Sequence, residues 1–273
     1  VSVLEAIVLG LVQGLTEFLP ISSTAHLRIV PALLGWSDPG AAYSAIIQLG
    51  TVAAVLGYFR KDIVALTKGF LAGLRAKDPF GTQESRLAWF VGLGTIPISV
   101  AGLLFKDVIK TTLRSLYVMS FSLIALAVVL FIVERVAKQR RTLTDLKLAD
   151  GVLIGLWQAL ALIPGSSRSG TTITGALALG FTREDAARYS FLLSIPSTTL
   201  AGLYQLKDVF RGEEPLSAVA LVVGTVISFV SGWAAIEGLL RFVRSRSMLA
   251  FVIYRIALGA LLLVLLSAGV LQP

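Results

Sequence analysis

Along most of this chain, apolar residues run uninterrupted by charge for about the thickness of a bilayer. Residues 41–59, 87–105, 115–133, 189–206 and 215–236 contain no charged side chain, and each run is 18 residues or longer. A helix needs about 20 residues to cross a hydrocarbon core. A sixth apolar run follows Arg255 and nearly reaches the C-terminus. The pattern predicts six transmembrane helices. Two polar stretches fall outside it: 13–26, reading Gln-Gly-Leu-Thr-Glu-Phe-Leu-Pro-Ile-Ser-Ser-Thr-Ala-His, and 164–172, reading Pro-Gly-Ser-Ser-Arg-Ser-Gly-Thr-Thr. Ionisable groups are costly in lipid, so such clusters mark function.

The hydrophobic pattern also repeats. Residues 42–63 align without gaps on 188–209, matching Tyr43, Ser44, Tyr58, Lys61 and Asp62 with Tyr189, Ser190, Tyr204, Lys207 and Asp208. Gly94, Thr95 and Gly102 match Gly224, Thr225 and Gly232, and Ile124-Ala-Leu126 matches Ile256-Ala-Leu258. The opening segments pair with one gap: Gln13 with Gln158, then Pro20, Ser22 and Ser23 with Pro164, Ser166 and Ser167. Matches in constant order read as an internal repeat.

Charge orients the two halves. Residues 60–86 hold six Lys/Arg, 134–150 five and 241–247 three; 106–114 hold three, and 207–214 two against three acids. Basic loops stay inside, so the first three are assigned to the cytoplasm and the last two to the exterior. Span 41–59 then runs inward and its mate 189–206 outward, so the repeat is inverted. The segments 1–40 and 150–186 are broken by Pro20 and by Pro164-Gly165, and proline interrupts a helix. They are expected to be re-entrant helical hairpins meeting near the midplane, where inverted repeats place their sites. The expected fold is an all-α polytopic membrane protein, a single integral domain over 1–273. Its halves are approximately 1–138 and 150–273, joined by a basic cytoplasmic linker at 134–150.

Composition agrees and narrows the chemistry. The chain is 56% hydrophobic and 15% charged, against about 25% charged in soluble domains. Absence of cysteine excludes disulfide and thiolate chemistry, and one histidine excludes a multi-His zinc site. The +8 net charge follows from the basic loops, and no nucleic-acid partner is expected. The opening residues lack a basic stretch and a small-residue cleavage site, so no cleavable signal peptide is expected.

The second polar stretch has the composition of a phosphate cradle. Its glycines let backbone N–H groups turn to a ligand, and a helix restarting near Ser169–Thr172 favours an anion at its N-terminus. Arg168 offers a planar fork for phosphate oxygens, and Ser167, Ser169, Thr171 and Thr172 offer hydroxyls. In the first stretch, Gln13 and Glu17 stack one turn apart. Ser23 and His26 are three apart and can touch on a helix, the minimal activated nucleophile, with Ser22 beside them. His26 could instead attack, or protonate the leaving group; Glu17 could orient His26 or hold a divalent cation. Among weaker candidates, Glu5 and Arg255 lie in apolar stretches as a structural pair. Glu237 falls at a span end, and Arg28 and Tyr58 could flank a ligand. Trp36, Trp89, Trp157 and Trp233 read as interface anchors or packing.

At these residues the sequence resembles the bacterial undecaprenyl-diphosphate phosphatases of the bacitracin-resistance type. That family carries an (E/Q)xxxE motif, here Gln13 and Glu17, followed by Pro20-Ile-Ser-Ser-Thr-Ala-His26, and a second motif, here Pro164-Gly-Ser-Ser-Arg-Ser-Gly-Thr-Thr172. The resemblance implies an enzyme of the bacterial plasma membrane that hydrolyses the C55 polyprenyl diphosphate carrier lipid to the monophosphate. It implies a site opening to the exterior, possible homodimers, and help from a divalent cation, magnesium or calcium. Glu17, Ser23, His26, Ser167, Arg168 and Thr172 are the positions it marks as functional, with Gln13, Ser22, Ser169 and Thr171 beside the substrate. Gln13 departs from the glutamate common at the first motif position and leaves one carboxylate fewer for a metal. The reading that joins both lines has Ser23 attack the terminal phosphorus, assisted by His26, with Glu17 positioning His26 or a cation and Arg168 holding the phosphate. The alternative is a flippase that carries a phosphorylated polyprenyl lipid across the membrane without covalent chemistry, since paired broken helices are also transporter architecture.

Overall fold

The computed structural model describes residues 1–210 and 217–272, without the side chains of Ala41, Lys110 and 206–210. The matches at Lys207 and Asp208, most of the loop at 207–214 and the start of the run at 215–236 therefore fall outside the described residues or side chains. Among the described residues the helices are α1 (Val3–Phe18), α2 (Ser23–Leu34), α3 (Gly40–Tyr58), α4 (Arg60–Arg75), α5 (Gln83–Leu104), α6 (Lys106–Lys110), α7 (Leu116–Val136), α8 (Leu148–Ala159), α9 (Arg168–Ala178), α10 (Arg183–Phe210), α11 (Ala218–Ser245) and α12 (Leu249–Ser267). The only β pairing described is one isolated bridge between Arg141 and Phe181. The protein is an all-α polytopic membrane protein.

Six long helices, α3, α5, α7, α10, α11 and α12, stand where the six apolar runs predict spans. Four of them, α5, α7, α11 and α12, are long and apolar enough to cross a membrane on their own. They turn Leu104, Phe121, Val222 and Val264 outward, as lipid-facing helices do. The repeat mates α3 and α10 are not among the four: α3 qualifies only as one bent pair with α4, and α10 is the more polar helix. They are packed inside the protein, and their buried faces carry Thr51 on α3 and Ser190, Ser194, Ser197 and Thr198 on α10. At Phe59 the chain turns by 79° into α4. The sequence reading assigned this stretch to a basic loop. It is instead an amphipathic helix whose Gly69 and Gly73 let the start of α5 approach closely.

Each opening segment is helix, break, helix: α1 then α2, and α8 then α9, each pair packed together. Both breaks end in a serine with positive φ, Ser22 at 75° and Ser167 at 70°. Each serine caps the helix that follows, accepting from Ala25 N at 3.3 Å and from Gly170 N at 3.1 Å. This corrects the gapped alignment. Ser22 corresponds to Ser167, not Ser166, and Ser23 to Arg168; the prolines are one residue out of step, so the chain needs no gap between Gln13 and the cap.

Packing follows the same correspondence. Helix α1 lies along α11, and α8 along α5. At the first crossing a Cβ on Gly10 would sit 2.6 Å from the Gly224 carbonyl oxygen; at the second, a Cβ on Gly155 would sit 2.5 Å from that of Gly94. Gly10 and Gly155 each precede a matched glutamine by one turn, and Gly94 and Gly224 are matched in the repeat. Close backbone approach at small residues is how helices associate in lipid, where the hydrophobic effect offers little. Below the breaks, Phe18 and Phe59 pack on Phe191, with ring centroids 5.1 and 6.2 Å away. At the basic ends, Glu134 accepts from Arg183 Nε at 2.5 Å and from Met248 N at 2.8 Å, tying α7, α10 and the turn before α12 together.

Gly10→Ala and Gly155→Ala are each expected to destabilise the protein by about 1–3 kcal/mol, the usual cost of overpacking. The measurement is thermal unfolding in detergent. Gly238→Ala, whose Cβ meets nothing within 4 Å, is expected to be neutral or to stabilise by up to about 1 kcal/mol.

Candidate active site

The two breaks face one another across a cavity of about 180 Å³ lined by Glu17, Ser22, Ser23, Thr24, Ser167 and Arg168 from the breaks and by Gln48, Ser197 and Thr198 from α3 and α10. Glu17 stands at its centre. Ser23 Oγ donates to its Oε2 at 2.6 Å, and Gln13 Nε2, one turn below on α1, donates to the same oxygen at 2.9 Å. Arg168 Nη2 donates to Oε1 at 3.0 Å. Three donors, two from the first opening segment and one from the second, thus reach one carboxylate that is 7% exposed. A buried carboxylate requires that compensation.

Arg168 is the first residue of α9, placed there by the Ser167 cap. Its Nη1 donates to the Ser190 carbonyl at 3.2 Å, and its buried Nε has no partner. Thr172 Oγ1 donates to the Arg168 carbonyl at 2.8 Å and shares a 2.6 Å hydrogen bond with Ser190 Oγ. Thr171 Oγ1 donates to the same carbonyl at 3.0 Å. Ser169 Oγ crosses to the Leu19 carbonyl of the other break at 3.0 Å and lies 3.2 Å from Ser167 Oγ. Thr171, Thr172 and Ser169 thus position Arg168 and the breaks, and none of them lines the cavity. The first turns of α2 and α9 both open here, and their leading N–H groups have no acceptor inside their own helix. Two helix N-termini and an arginine favour an anion.

The structure separates two residues that the spacing had joined. Ser23 and His26 make no hydrogen bond with each other. His26 Nδ1 faces the Ser22 carbonyl at 2.7 Å and Nε2 faces the Tyr254 hydroxyl at 2.6 Å. The reason is local: Ser23, first in its helix, turns back to Glu17, while the carbonyl of the residue before it captures the imidazole. Glu17 therefore orients Ser23 and Arg168 and makes no hydrogen bond to His26.

Arg255 was undervalued by the sequence reading, which paired it with Glu5. Glu5 instead closes the capping box of α1, accepting from Ser2 N at 2.6 Å. Arg255 is 0% exposed and gives its guanidinium to backbone carbonyls of both breaks: Pro20 at 3.3 Å, Gly165 at 3.2 Å and Ser166 at 3.0 Å. Ser122 Oγ donates to the Pro164 carbonyl at 2.5 Å. Broken helices strand carbonyls that need donors, and a lone arginine in the last apolar run was the available signal. Arg28 and Tyr58 line neither this cavity nor the apolar one beside it: Arg28 pairs with Asp38 at 3.6 Å, and Tyr58 donates to Glu237.

The described residues hold no group of three His, Cys, Asp or Glu side chains that could bind a metal ion. Glu17 is the single carboxylate at the cavity and both its oxygens are engaged. These residues do not form a protein cage for magnesium or calcium.

A second cavity of about 380 Å³ opens from the first, sharing Ile98, Leu162, Ser197 and Ala201 with it and continuing between α5 and α10 along Gly102, Leu103 and Leu200. A polar, anion-favouring chamber thus meets an apolar one. The family sequence model described as "Bacitracin resistance protein BacA" matches residues 6–261. A protein named undecaprenyl-diphosphatase in Myxococcus xanthus is 66% identical over 272 residues, covering 100% of this chain and 92% of that protein. Proteins of the same name in Chloroherpeton thalassium and Thermobifida fusca are 55% and 50% identical, covering 99% and 100% of this chain and 99% and 93% of those proteins. With a family match across nearly its whole length and relatives at least half identical from end to end, this chain belongs to the bacitracin resistance protein BacA family.

Proposed function

We propose that this protein hydrolyses undecaprenyl diphosphate, the substrate its relatives are named for, to the monophosphate and inorganic phosphate. The observation that carries the reading is the Ser23–Glu17–Arg168 arrangement at the mouths of two helix N-termini. A hydroxyl 2.6 Å from a carboxylate is a nucleophile with its base in place. The terminal phosphoryl group rests on the leading N–H groups of α2 and α9 and on Arg168, whose Nε stands unpartnered. Ser23 Oγ forms the bond to phosphorus as its proton passes to Glu17. The bond from phosphorus to the bridging oxygen breaks, and the prenyl monophosphate departs. Its second ionisation lies near 6, so near neutral pH it leaves as an anion and needs no general acid. Water then attacks the phosphoserine: the proton held on Glu17 returns to the departing Ser23 Oγ, both water protons leave with the phosphate, and Glu17 is again a carboxylate. Positioning and charge stabilisation dominate phosphoryl transfer, so Arg168 counts as heavily as the nucleophile.

The apolar cavity takes the start of the prenyl chain. Lys106 and Ile109 of α6 line it, and they belong to the loop that the charge count assigns to the exterior; this supports a site in the plasma membrane that opens outward. The inverted relation of the halves and a homodimer, as the resemblance implies, belong to the same reading. A divalent cation, magnesium or calcium, is included only as an ion accompanying the diphosphate, because the protein offers it one engaged carboxylate. No observation favours the flippase alternative, and a nucleophile with its base is superfluous to a lipid carrier.

The test is phosphate release from undecaprenyl diphosphate by purified protein in detergent. Ser23→Ala and Glu17→Gln are each expected to lower kcat by roughly 10²–10⁴-fold, and Arg168→Lys by roughly 10²–10³-fold. No release by the parent protein, with lipid movement across vesicles, would overturn the reading.

Quenched during turnover, the enzyme is expected to carry an acid-stable, base-labile phosphoserine that Ser23→Ala abolishes. An acid-labile phosphoenzyme that survives Ser23→Ala would transfer the nucleophile's role to His26.

A further inference from the structure

We propose that Tyr254 is a positioning residue for the reaction, acting through His26 on the break that carries Ser23; the proposal rests on the phosphatase reading above. Ser22 is held at φ 75° and ψ 94°, a conformation that is strained for a non-glycine residue and persists only where its surroundings enforce it. The residue after it is the nucleophile. Its geometry toward Glu17 therefore depends on what fixes the Ser22 peptide.

The imidazole supplies that restraint. Its Nδ1 faces a carbonyl at 2.7 Å, so Nδ1 carries a proton and donates to the Ser22 oxygen. In the neutral ring, Nε2 is then an acceptor, and the Tyr254 hydroxyl donates to it at 2.6 Å. The Tyr254 ring lies nearly parallel to the imidazole, at 9° and 5.6 Å between centroids. Among the described residues no acidic side chain bonds to the ring, and these are its two hydrogen-bond partners. Tyr254 thus fixes both the tautomer and the plane in which Nδ1 reaches Ser22.

The second break shows the same device in simpler form. The repeat that sets Ile124 against Ile256 also sets Ser122 against Tyr254. Ser122 reaches from α7 to the Pro164 carbonyl of the second break, while Tyr254 reaches from α12 to the first break through His26. The two breaks also differ in need. The backbone bond closing the first turn is 2.8 Å after Ser167, from Thr171 N, and 3.2 Å after Ser22, from His26 N. The longer bond is the one that the imidazole reinforces.

His26 is the only histidine in the chain, so ¹⁵N-histidine labelling reads this one ring in the folded protein. The parent is expected to show a protonated Nδ1 and a hydrogen-bonded acceptor Nε2 at neutral pH. Tyr254→Phe, which keeps the ring stack, is expected to move the Nε2 resonance toward that of an unbonded acceptor. It should lower kcat about tenfold with KM within about twofold, since ångström misplacement of reacting atoms costs rate rather than binding. An Nε2-protonated ring in the parent overturns the proposal without any variant. So does an unmoved Nε2 resonance, or an unchanged kcat, in Tyr254→Phe. Failure of the phosphatase reading is distinguishable, because the parent would then release no phosphate whatever its imidazole signals show.

Discussion

Glu17 is a carboxylate inside a membrane protein, and its charge is tolerable only because Arg168, Ser23 and Gln13 all reach it. The Coulomb gain of such a pair offsets desolvation only when the geometry is good and the remaining lone pairs are bonded. That requirement governs the fold. Arg168 comes from the second break and Ser23 from the first, so the two breaks must be held within hydrogen-bond distance of each other. Arg255 does this by binding carbonyls of both, and the glycine crossings seat α1 and α8 closely enough for the breaks to meet. In the proposed mechanism the same pair is also the chemical device: the carboxylate that needs a cation to be stable is the one that takes a proton from the serine.

The sequence reading located the membrane fold, both breaks and the residues around Glu17 because each rests on a local signal. Apolar runs show spans, prolines show breaks, and a charge in an apolar setting shows a site. It failed where the outcome depends on direction in space. Ser23 and His26 are three apart, and spacing on a helix suggested contact; the position of Ser23 at the helix start turned it to Glu17 instead. Arg255 was visible as an isolated charge, but its partners are backbone carbonyls, which carry no sequence signature. Helix α10 was placed correctly despite its serines and threonines, of which Ser197 and Thr198 line the cavity and Ser190 bonds to Thr172 beside it. The gap in the aligned opening segments arose from matching prolines and serines by identity, whereas backbone geometry equates the two capping serines.

That equivalence clarifies how two related loops came to divide one reaction. Ser22 and Ser167 are the same structural element, each launching a helix from a positive-φ turn toward the cavity. The next residue in each is the first side chain presented at a helix N-terminus. In one loop it is Ser23, and in the other Arg168. One scaffold is therefore used twice, and the difference in chemistry rests on a single adjacent position, supported by Glu17 on the first side and by Ser190 and Thr172 on the second.

The crossing of α1 with α11 carries a consequence for biosynthesis. The ribosome makes α1 before α11, with roughly 200 residues between them; at about 5–20 residues per second, α1 exists for about 10–40 s before its partner emerges. Arg168 is absent for much of that interval. Until it is made, Glu17 has only Gln13 and Ser23 within reach and lacks the cation that offsets the cost of burying it. The glycine seam thus closes only after both opening segments exist, and a chain arrested between the halves is left with an acid and no cation to receive it.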